Sequence, residues 1–423
     1  MTKIEIKMFP ASYGDSFLVR CFDETTTNIL IDMGFKSTYK DHIKNELKRI
    51  NEQGEDLHLL VFTHIDRDHI QGGLQFIEEN GSVTSPEIIQ VNEIWHNSYR
   101  HLQFDKKIQN VNQSDEEIEE KLNQIIKKGY GRERGVRETS EIGYKQGSTL
   151  ASLLYEKGYE EIWNKNFNHK AVMISNEFSE KPISINREVK ITLLSPDMEK
   201  LKRLDYEWKQ KLVELGFKDQ VYSNSIMDDA FEVYNANLRG GNKKSRRINK
   251  VSGRKINVEE AAEQRFEPDN TAINGSSISF ILEFQDKRIL FLGDSHTDII
   301  EKNIEMILKE TKRERLLFDA VKISHHGSKH NTSPTLLQLI ESSRYIISTN
   351  GKGTGFSHPD LETISRILLS KTEFKKELIF NFKPIHLFDF LSNQTMKDKY
   401  NYDIYYKNEF SQSAIGTFTN III

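Results

Sequence analysis

Residues 57–73 read LHLLVFTHIDRDHIQGG, a short apolar run followed by several side chains that can bind a metal ion. The apolar part, residues 57–62, has the length and composition of a buried β-strand. Four candidate ligands follow it: His64, Asp66, Asp68 and His69. Because the end of a buried strand is rigid, the loop behind it can bring several side chains together. The stretch therefore predicts a metal site at a strand end.

The types of ligand narrow the kind of metal site. Imidazole and carboxylate together suit divalent first-row metal ions. Structural zinc sites more often use thiolates, and the chain has a single cysteine, Cys21. The alternative is a polar surface turn, where Asp and His are common. A turn does not require two His and two Asp behind an apolar strand, so we favour the metal site.

The composition limits the class of protein. A chain of 423 residues, 37% of them hydrophobic, is long enough for one large α/β domain with insertions or for two domains. The net charge of −4 is not that of a general nucleic-acid binder, although it allows local basic patches. The single cysteine excludes an internal disulfide. No run approaches the roughly 18 apolar residues of a membrane span, and the start lacks a signal-peptide pattern. We therefore expect a soluble, cytoplasmic protein without membrane contacts.

Apolar patterns divide the chain into strand-rich ends and a charged, largely helical middle. We predict strands at residues 4–8, 16–22, 28–33, 57–62, 188–194, 278–284, 288–292, 320–324 and 345–349, and helices at 36–53, 115–128, 198–215, 297–311 and 333–341. Residues 127–137 and 239–255 are rich in Lys and Arg and predict exposed basic loops.

Residues 63–73 resemble the H-x-[HD]-x-D-H-x-x-G signature of the metallo-β-lactamase fold. The commoner form has His at the position of Asp66. The form with Asp is similar to the metallo-hydrolase domain of the ComEC DNA-uptake proteins and their stand-alone relatives. Further segments match the motifs of this group in the expected order: YGDS at 13–16, NILIDMG at 28–34, LFLGD at 290–294, AVKISHHGS at 320–328 and GFSHP at 355–359. The resemblance covers residues 1–97, 188–196 and 274–360.

The resemblance implies a fold and a domain organisation. We expect a single α/β domain over residues 1–423. Its architecture would be the metallo-β-lactamase-type αβ/βα sandwich, in which two mixed sheets lie face to face with helices outside. Two largely helical insertions, residues 98–182 and 197–273, would surround the rim of the cleft.

The same resemblance implies two adjacent divalent metal ions, zinc or manganese. The implied ligands are His64 and Asp66 for the first ion, Asp68, His69 and His358 for the second, and Asp294 as a bridge between them. A Gly-Asp pair after a strand is also an ordinary turn. We favour the ligand interpretation, because Asp294 follows an apolar run just as His64 does, and both would point into one cleft.

The first ion still lacks a ligand, because the family usually adds a His before the Gly-Asp strand. His96 follows an apolar stretch and is the best candidate, while His101 and His169 are weaker ones. The alternative is that His96 is a polar residue that caps a strand.

Two further residues complete the predicted reaction centre. Adjacent residues at a strand end point in different directions, so at most one of His325 and His326 is expected to face it. We predict His326, because Gly327 lets the backbone approach closely behind it. His326 would be a proton donor or a contact to a substrate phosphate, and with Asp68 it forms the predicted catalytic pair. Asp32 would orient a ligating His or the loop backbone.

A two-metal site predicts hydrolysis by a metal-activated hydroxide, without a Ser, Cys or Lys nucleophile. The resemblance to nuclease-like relatives and the basic stretches at 127–137 and 239–255 favour a phosphodiesterase or nuclease that holds nucleic acid through phosphate contacts. Relatives of this type often belong to bacterial antiviral defence systems. Two alternatives remain: hydrolysis of a small molecule, such as a cyclic nucleotide, phosphate ester or lactone, and a non-catalytic subunit with a degenerate site. The basic stretches would then be solvated loops.

Overall fold

The computed structural model describes residues 3–104, 116–127, 149–174, 182–214, 225–238, 256–351, 358–406 and 419–423. Of the two basic stretches only Lys127 is among them; the rest of 127–137 and all of 239–255 lie outside the described residues.

Short strands occur throughout the described chain. They are β1 (Lys3–Met8), β2 (Phe17–Phe22), β3 (Thr26–Ile31), β4 (Leu59–Val61), β5 (Gly81–Ser82), β6 (Ser85–Pro86), β7 (Ile94–Trp95), β8 (Ile183–Ser184), β9 (Val189–Ser195), β10 (Ser279–Phe284), β11 (Lys287–Phe291), β12 (Leu316–Phe318), β13 (Ala320–Lys322), β14 (Ile340–Ser342), β15 (Arg344–Ile347), β16 (Lys376–Phe380), β17 (Tyr402–Tyr406) and β18 (Thr419–Ile422).

The helices lie between and after these strands. They are α1 (Lys36–Thr38), α2 (Lys44–Glu52), α3 (Arg67–Asn80), α4 (Glu116–Lys127), α5 (Leu150–Glu156), α6 (Met198–Glu214), α7 (Ser225–Leu238), α8 (Val258–Ala262), α9 (Ala272–Gly275), α10 (Thr297–Thr311), α11 (Pro334–Leu339), α12 (Leu361–Leu369), α13 (Phe388–Leu391) and α14 (Gln394–Tyr400). A π-helical turn, Tyr39–Ile43, joins α1 to α2. Within the described chain, no helix is both long enough and apolar enough to span a bilayer.

Two large mixed sheets contain most of the strands. The first has the order β18-β1-β2-β3-β4-β7, and the second has the order β17-β16-β15-β13-β11-β10-β9-β8. In the first sheet β1, β2 and β3 pair antiparallel, whereas β3, β4 and β7 pair parallel. In the second, β9, β10 and β11 pair antiparallel, and the strands from β11 to β17 pair parallel.

Alternation along the strands explains how these sheets pack. In β3, Ile29 and Ile31 belong to a buried cluster between the two sheets, whereas Leu30 belongs to a cluster with α2 and α3. In β11, Ile289 lies in the cluster between the sheets, and Leu290 lies in a cluster with α10 and α12. Since side chains alternate between the two faces of a strand, each sheet is covered by the other sheet on one side and by helices on the other. The predicted mixed α/β architecture is confirmed, while the insertions at 98–182 and 197–273 stay a prediction.

The segment behind β4 differs from the predicted loop. Helix α3 begins at Arg67, and Asp66 is its N-cap residue, so Asp68 and His69 lie in the first helical turn. The helix forms because the apolar residues that follow, among them Ile70 and Leu74, have helical spacing and are fully buried. Two of the four candidate ligands are therefore placed by a helix.

The cluster between the sheets should dominate stability. Phe280 of β10 is fully buried and packs against the rings of Trp95 and Phe291. We expect Phe280→Ala to lower the free energy of unfolding by about 3–5 kcal/mol, because it removes a large buried ring and leaves a cavity. Urea unfolding followed by circular dichroism measures the change.

The matched control is Phe374→Ala, which truncates a ring that is 51% exposed. It should change the free energy of unfolding by no more than about 0.5 kcal/mol. Equal effects of the two substitutions would contradict the packing of the two sheets described above.

Candidate metal centre

Asp32 fixes the segment that follows β4. Its Oδ1 accepts a hydrogen bond from the backbone N–H of Thr63 at 2.8 Å, and its Oδ2 accepts from Thr63 Oγ1 at 2.8 Å. The same Oδ2 lies 2.8 Å from His69 Nδ1. One buried carboxylate thus orients both the loop backbone and a candidate ligand, as the sequence predicted for Asp32.

The early turn at residues 13–16 packs against the same segment. The backbone N–H of Asp15 donates to the carbonyl oxygen of Asp68 at 3.2 Å. A Cβ atom on Gly14 would lie 1.9 Å from that carbonyl oxygen. Only a glycine allows so close an approach, so this turn is a constraint on where Asp68 lies.

Asp294 reaches the centre from the other sheet. It is fully buried just beyond β11, and its backbone N–H donates to Ser277 Oγ at 3.0 Å. The two sheets are also joined beside the centre, because the N–H of Ile278 donates to the carbonyl oxygen of Thr63 at 2.8 Å. The ends of β4 and β11 therefore meet, as predicted.

Four imidazoles surround one oxygen of Asp294. The Nε2 atoms of His64, His69, His326 and His325 lie 3.7, 3.7, 3.8 and 3.9 Å from Asp294 Oδ2. These distances are longer than hydrogen bonds. Two ligand atoms that both lie about 2.1 Å from the same metal ion are about 3.4 Å or more apart, and the observed distances are close to that separation. This spacing would suit metal ligands around a shared carboxylate.

The hydrogen bonds of the ring nitrogens agree with this interpretation. His326 Nδ1 donates to the carbonyl oxygen of Ser348 at 2.9 Å. His64 Nδ1 lies 3.0 Å from Thr63 Oγ1, whose own proton goes to a carboxylate, so His64 Nδ1 is the donor. In His69 too the proton is on Nδ1, because that nitrogen lies beside a carboxylate oxygen of Asp32. In all three neutral rings the lone pair is then on Nε2. The Nε2 atoms of these three residues are buried and have no hydrogen-bond partner among the residues described.

Both adjacent histidines face the centre, so the prediction that at most one would do so is wrong. That prediction assumed strand geometry. His325 and His326 instead have left-handed backbone conformations, with φ of 48° and 56°, followed by Gly327 at 86°. This turn places two neighbouring rings on the same side. Left-handed non-glycine residues are strained, and such strain is concentrated at functional sites.

Buried Asp and His residues form four groups that could each hold a cation among the described residues. The first two are His64, His69 and Asp294, and Asp68, His69 and His326. The other two contain Asp15. The ammonium group of Lys322 already forms a buried ion pair with Asp15. The first two groups are therefore the better candidates for a cation site.

The carboxylates favour positive charge at this centre. Although burial opposes a charged ring, Asp32 and Asp294 raise the pKa of His69 to about 10. Burial also opposes a positive charge on His326, yet Asp294 and Asp15 raise the pKa of His326 to about 9. Divalent cations would displace these protons from Nε2, since a ligating imidazole must be neutral.

His96 has a partner outside the centre. Its Nε2 lies 2.8 Å from Glu232 Oε1 on α7, 136 residues away in sequence, and its ring stacks on Trp163. Its Nδ1 is buried without a hydrogen-bond partner among the described residues. Metal binding by His96 therefore stays a prediction. The weaker candidates, His101 and His169, line a separate small cavity.

The structure places the remaining predicted residues at the centre or beside it. Asp66 Oδ2 lies 3.6 Å from His64 Nε2, and Asp68 Oδ2 lies 3.6 Å from His326 Nε2. His326 therefore occupies the place beside Asp68 that was predicted for His358. The ring of His358 is next to His325, with centroids 5.3 Å apart. Metal binding by His358 and proton donation by His326 stay predictions.

Sequence reasoning missed three residues of the centre. It did not assign a role to Asp15, Lys322 or His325. The apolar strand containing Lys322 was the available signal, because a lysine in a buried strand needs a nearby carboxylate.

Asp32 should influence metal affinity without touching the metal. We expect Asp32→Asn to weaken divalent-ion binding about 10–100-fold, because the amide cannot accept all three hydrogen bonds that orient His69 and Thr63. Isothermal titration with Mn²⁺ and Zn²⁺ measures the change. The control is Asp286→Asn, at a side chain that is 82% exposed. Equal affinities of the two folded variants would refute this role.

Comparison with known proteins agrees with the geometry in the first part of the chain. The family model of the metallo-beta-lactamase superfamily matches residues 10–160, which include Asp15, Asp32 and the segment from His64 to His69. A search of curated proteins found no match. Residues 10–160 thus carry the sequence pattern of the metallo-β-lactamase superfamily, and the two facing sheets with outer helices are consistent with its fold.

Proposed function

We propose that this protein is a metal-dependent hydrolase of phosphodiester bonds that acts on nucleic acid. The observation that carries the hydrolase proposal is the convergence of four imidazole Nε2 atoms on Asp294 Oδ2, at 3.7–3.9 Å. The superfamily whose pattern occurs at residues 10–160 is generally hydrolytic. Two divalent ions, zinc or manganese, are the proposed cofactors.

The proposed ligands divide between two positions. His64 and Asp66 would hold one ion, Asp68, His69 and His326 would hold the other, and Asp294 would lie between them. Divalent ions in such a site lower the pKa of water and stabilise negative charge on substrate oxygens. Asp66 replaces a nitrogen ligand of the commoner motif by oxygen, which should let Mn²⁺ compete better with Zn²⁺.

One carboxylate of the centre would accept the proton of the attacking water. Asp68 keeps 8% of its surface exposed, whereas Asp294 is fully buried. Asp68 is therefore the carboxylate of the centre that can accept a proton on the substrate side. Covalent catalysis by the single cysteine is disfavoured, because burial in β2 raises the pKa of Cys21 to about 12.

The nucleic-acid substrate is the finer part of the proposal. It rests on the resemblance of the His64–His69 motif to the ComEC-type metallo-hydrolases and on the basic stretches 127–137 and 239–255. Such stretches can hold a nucleic-acid backbone through phosphate contacts that do not depend on sequence. A place in a bacterial defence system belongs to the same resemblance.

Removing either central carboxylate should abolish hydrolysis. We expect Asp294→Asn and Asp68→Asn each to lower the rate at least about 100-fold, because each loses a charged metal ligand and Asp68→Asn also loses the proton-accepting oxygen. The assay is cleavage of plasmid, single-stranded DNA, RNA and bis(p-nitrophenyl) phosphate with Mn²⁺ or Zn²⁺, together with metal analysis of the purified protein.

The control variant is Asp286→Asn, which removes an exposed carboxylate in the turn between β10 and β11 and should keep full activity. Hydrolysis that survives both central substitutions would contradict the two-metal mechanism. Cleavage of a lactone or cyclic nucleotide, but of no nucleic acid, would identify a small-molecule hydrolase. No hydrolysis of any substrate by a protein that binds metal would favour the non-catalytic subunit.

Substitutions in the basic stretch 239–255 test the proposed nucleic-acid substrate separately. Six of its eight cations would be replaced together by Gln: Arg239, Lys243, Lys244, Arg246, Arg247 and Lys250. We expect weaker binding of all sequences and a flatter salt dependence, by about 0.7–0.9 in slope per lost phosphate contact. Fluorescence anisotropy at several salt concentrations measures both.

Hydrolysis of bis(p-nitrophenyl) phosphate should be unchanged in this variant, because the metal ligands are intact. An unchanged affinity and an unchanged salt slope for nucleic acid would mean that the stretch is a solvated surface.

A further inference from the structure

His325 is an imidazole of the centre to which the proposed ligand sets give no role. Its Nε2 lies 3.9 Å from Asp294 Oδ2, close to the 3.7–3.8 Å of His64, His69 and His326. Among the described residues no contact brings His96 to Asp294, and its Nε2 lies 2.8 Å from Glu232 Oε1.

Asn331 determines which nitrogen of His325 carries the proton. The side-chain amide nitrogen of Asn331 has three acceptors at 3.2 Å: Asp269 Oδ2 and the carbonyl oxygens of Asp294 and Ser295. This environment identifies the nitrogen end of the amide. Its oxygen therefore faces His325 Nδ1, at 2.8 Å, and must accept a hydrogen bond from it. The neutral His325 ring then has its lone pair on Nε2, on the side of Asp294.

Asp269 holds this arrangement from the segment between α8 and α9. Its Oδ2 lies 3.6 Å from His325 Nδ1, and its backbone N–H donates to the carbonyl oxygen of His330 at 2.9 Å. Its Oδ1 accepts hydrogen bonds from the N–H and the hydroxyl of Thr271, at 2.9 and 3.0 Å. The carboxylate is therefore fixed in place beside His325.

We infer that His325, and not His96, is a further metal ligand of the centre beside Asp294, and that Asp269 is a positioning residue that acts on His325 with Asn331. The three Nδ1 atoms of His64, His69 and His326 are fixed in the same manner, each by an oxygen acceptor. The inference rests on the proposed metal-dependent function, and it names residues that lie outside the matched residues 10–160.

The first test compares two histidine variants. His325→Gln and His96→Gln each replace one imidazole by an amide of similar size. The readouts are the number of bound ions by metal analysis, and the visible spectrum of the Co²⁺-loaded protein, which responds to the ligands. We expect the wild-type protein and His96→Gln to bind two ions with the same spectrum. His325→Gln should retain one ion tightly and have an altered spectrum.

The opposite result, with loss of an ion in His96→Gln and two ions in His325→Gln, would overturn the inference. A wild-type protein that binds no divalent ion at all would contradict the proposed function itself. The two failures are therefore distinguishable.

The second test concerns Asp269 and does not require removal of an imidazole. Asp269→Asn should weaken binding of one of the two ions about 10–100-fold, since partners of this type orient metal-ligating histidines. The matched control is Glu267→Gln, which removes the same charge from the same segment at an exposed side chain. Isothermal titration of the folded proteins gives both affinities. If Asp269→Asn binds both ions as tightly as Glu267→Gln does, Asp269 has no positioning role.

Discussion

The rest of this structure depends on five carboxylates that are buried around one point. Asp15, Asp32, Asp66, Asp68 and Asp294 are each at most 8% exposed. Isolated buried carboxylates are strongly unfavourable, so such a group persists only with cations or hydrogen-bond donors in contact. Among the described residues, Lys322 is a fixed cation at this point: its ammonium group pairs with Asp15 and lies 4.0 Å from Asp294. Imidazoles surround the remaining negative charge, and a divalent ion between these groups would satisfy both.

Both sheets contribute residues to this centre. Each supplies part of it from strand ends: the first sheet through Asp32 and the segment behind β4, and the second through Asp294 and the turn at His325. The apolar cluster between the sheets fixes the distance between these ends. Because well-packed cores are rigid, the ring nitrogens keep their places without help from flexible loops. The hydrogen bonds to Nδ1 then fix the rotation of each ring.

The candidate site could be predicted from the sequence where ligands are close together in the chain. His64, Asp66, Asp68 and His69 lie within six residues behind an apolar run, and all four side chains are buried at the centre. Asp32 could also be predicted, because it ends an apolar strand in the same sheet. The contact of His96 with Glu232 of a distant helix could not be predicted from the sequence. The prediction failed for His325, because strand geometry was assumed where the backbone is left-handed.

The sequence by itself determined the pattern of strands and helices and the chemical character of the centre, and its resemblance to the metallo-β-lactamase fold implied the layer architecture. Apolar alternation with a period of two and the helical spacing between such runs are local patterns, so they can be recognised without knowing any tertiary contact. The types of the candidate ligands are given directly by the residues. Only the tertiary structure decided which imidazoles share Asp294, and which carboxylates have Lys322 or Asn331 as partners. Those choices depend on where remote strand ends meet and on which ring nitrogen is protonated. Both are set by hydrogen bonds between segments that are distant in the chain, and the pattern of residues along the chain does not specify them.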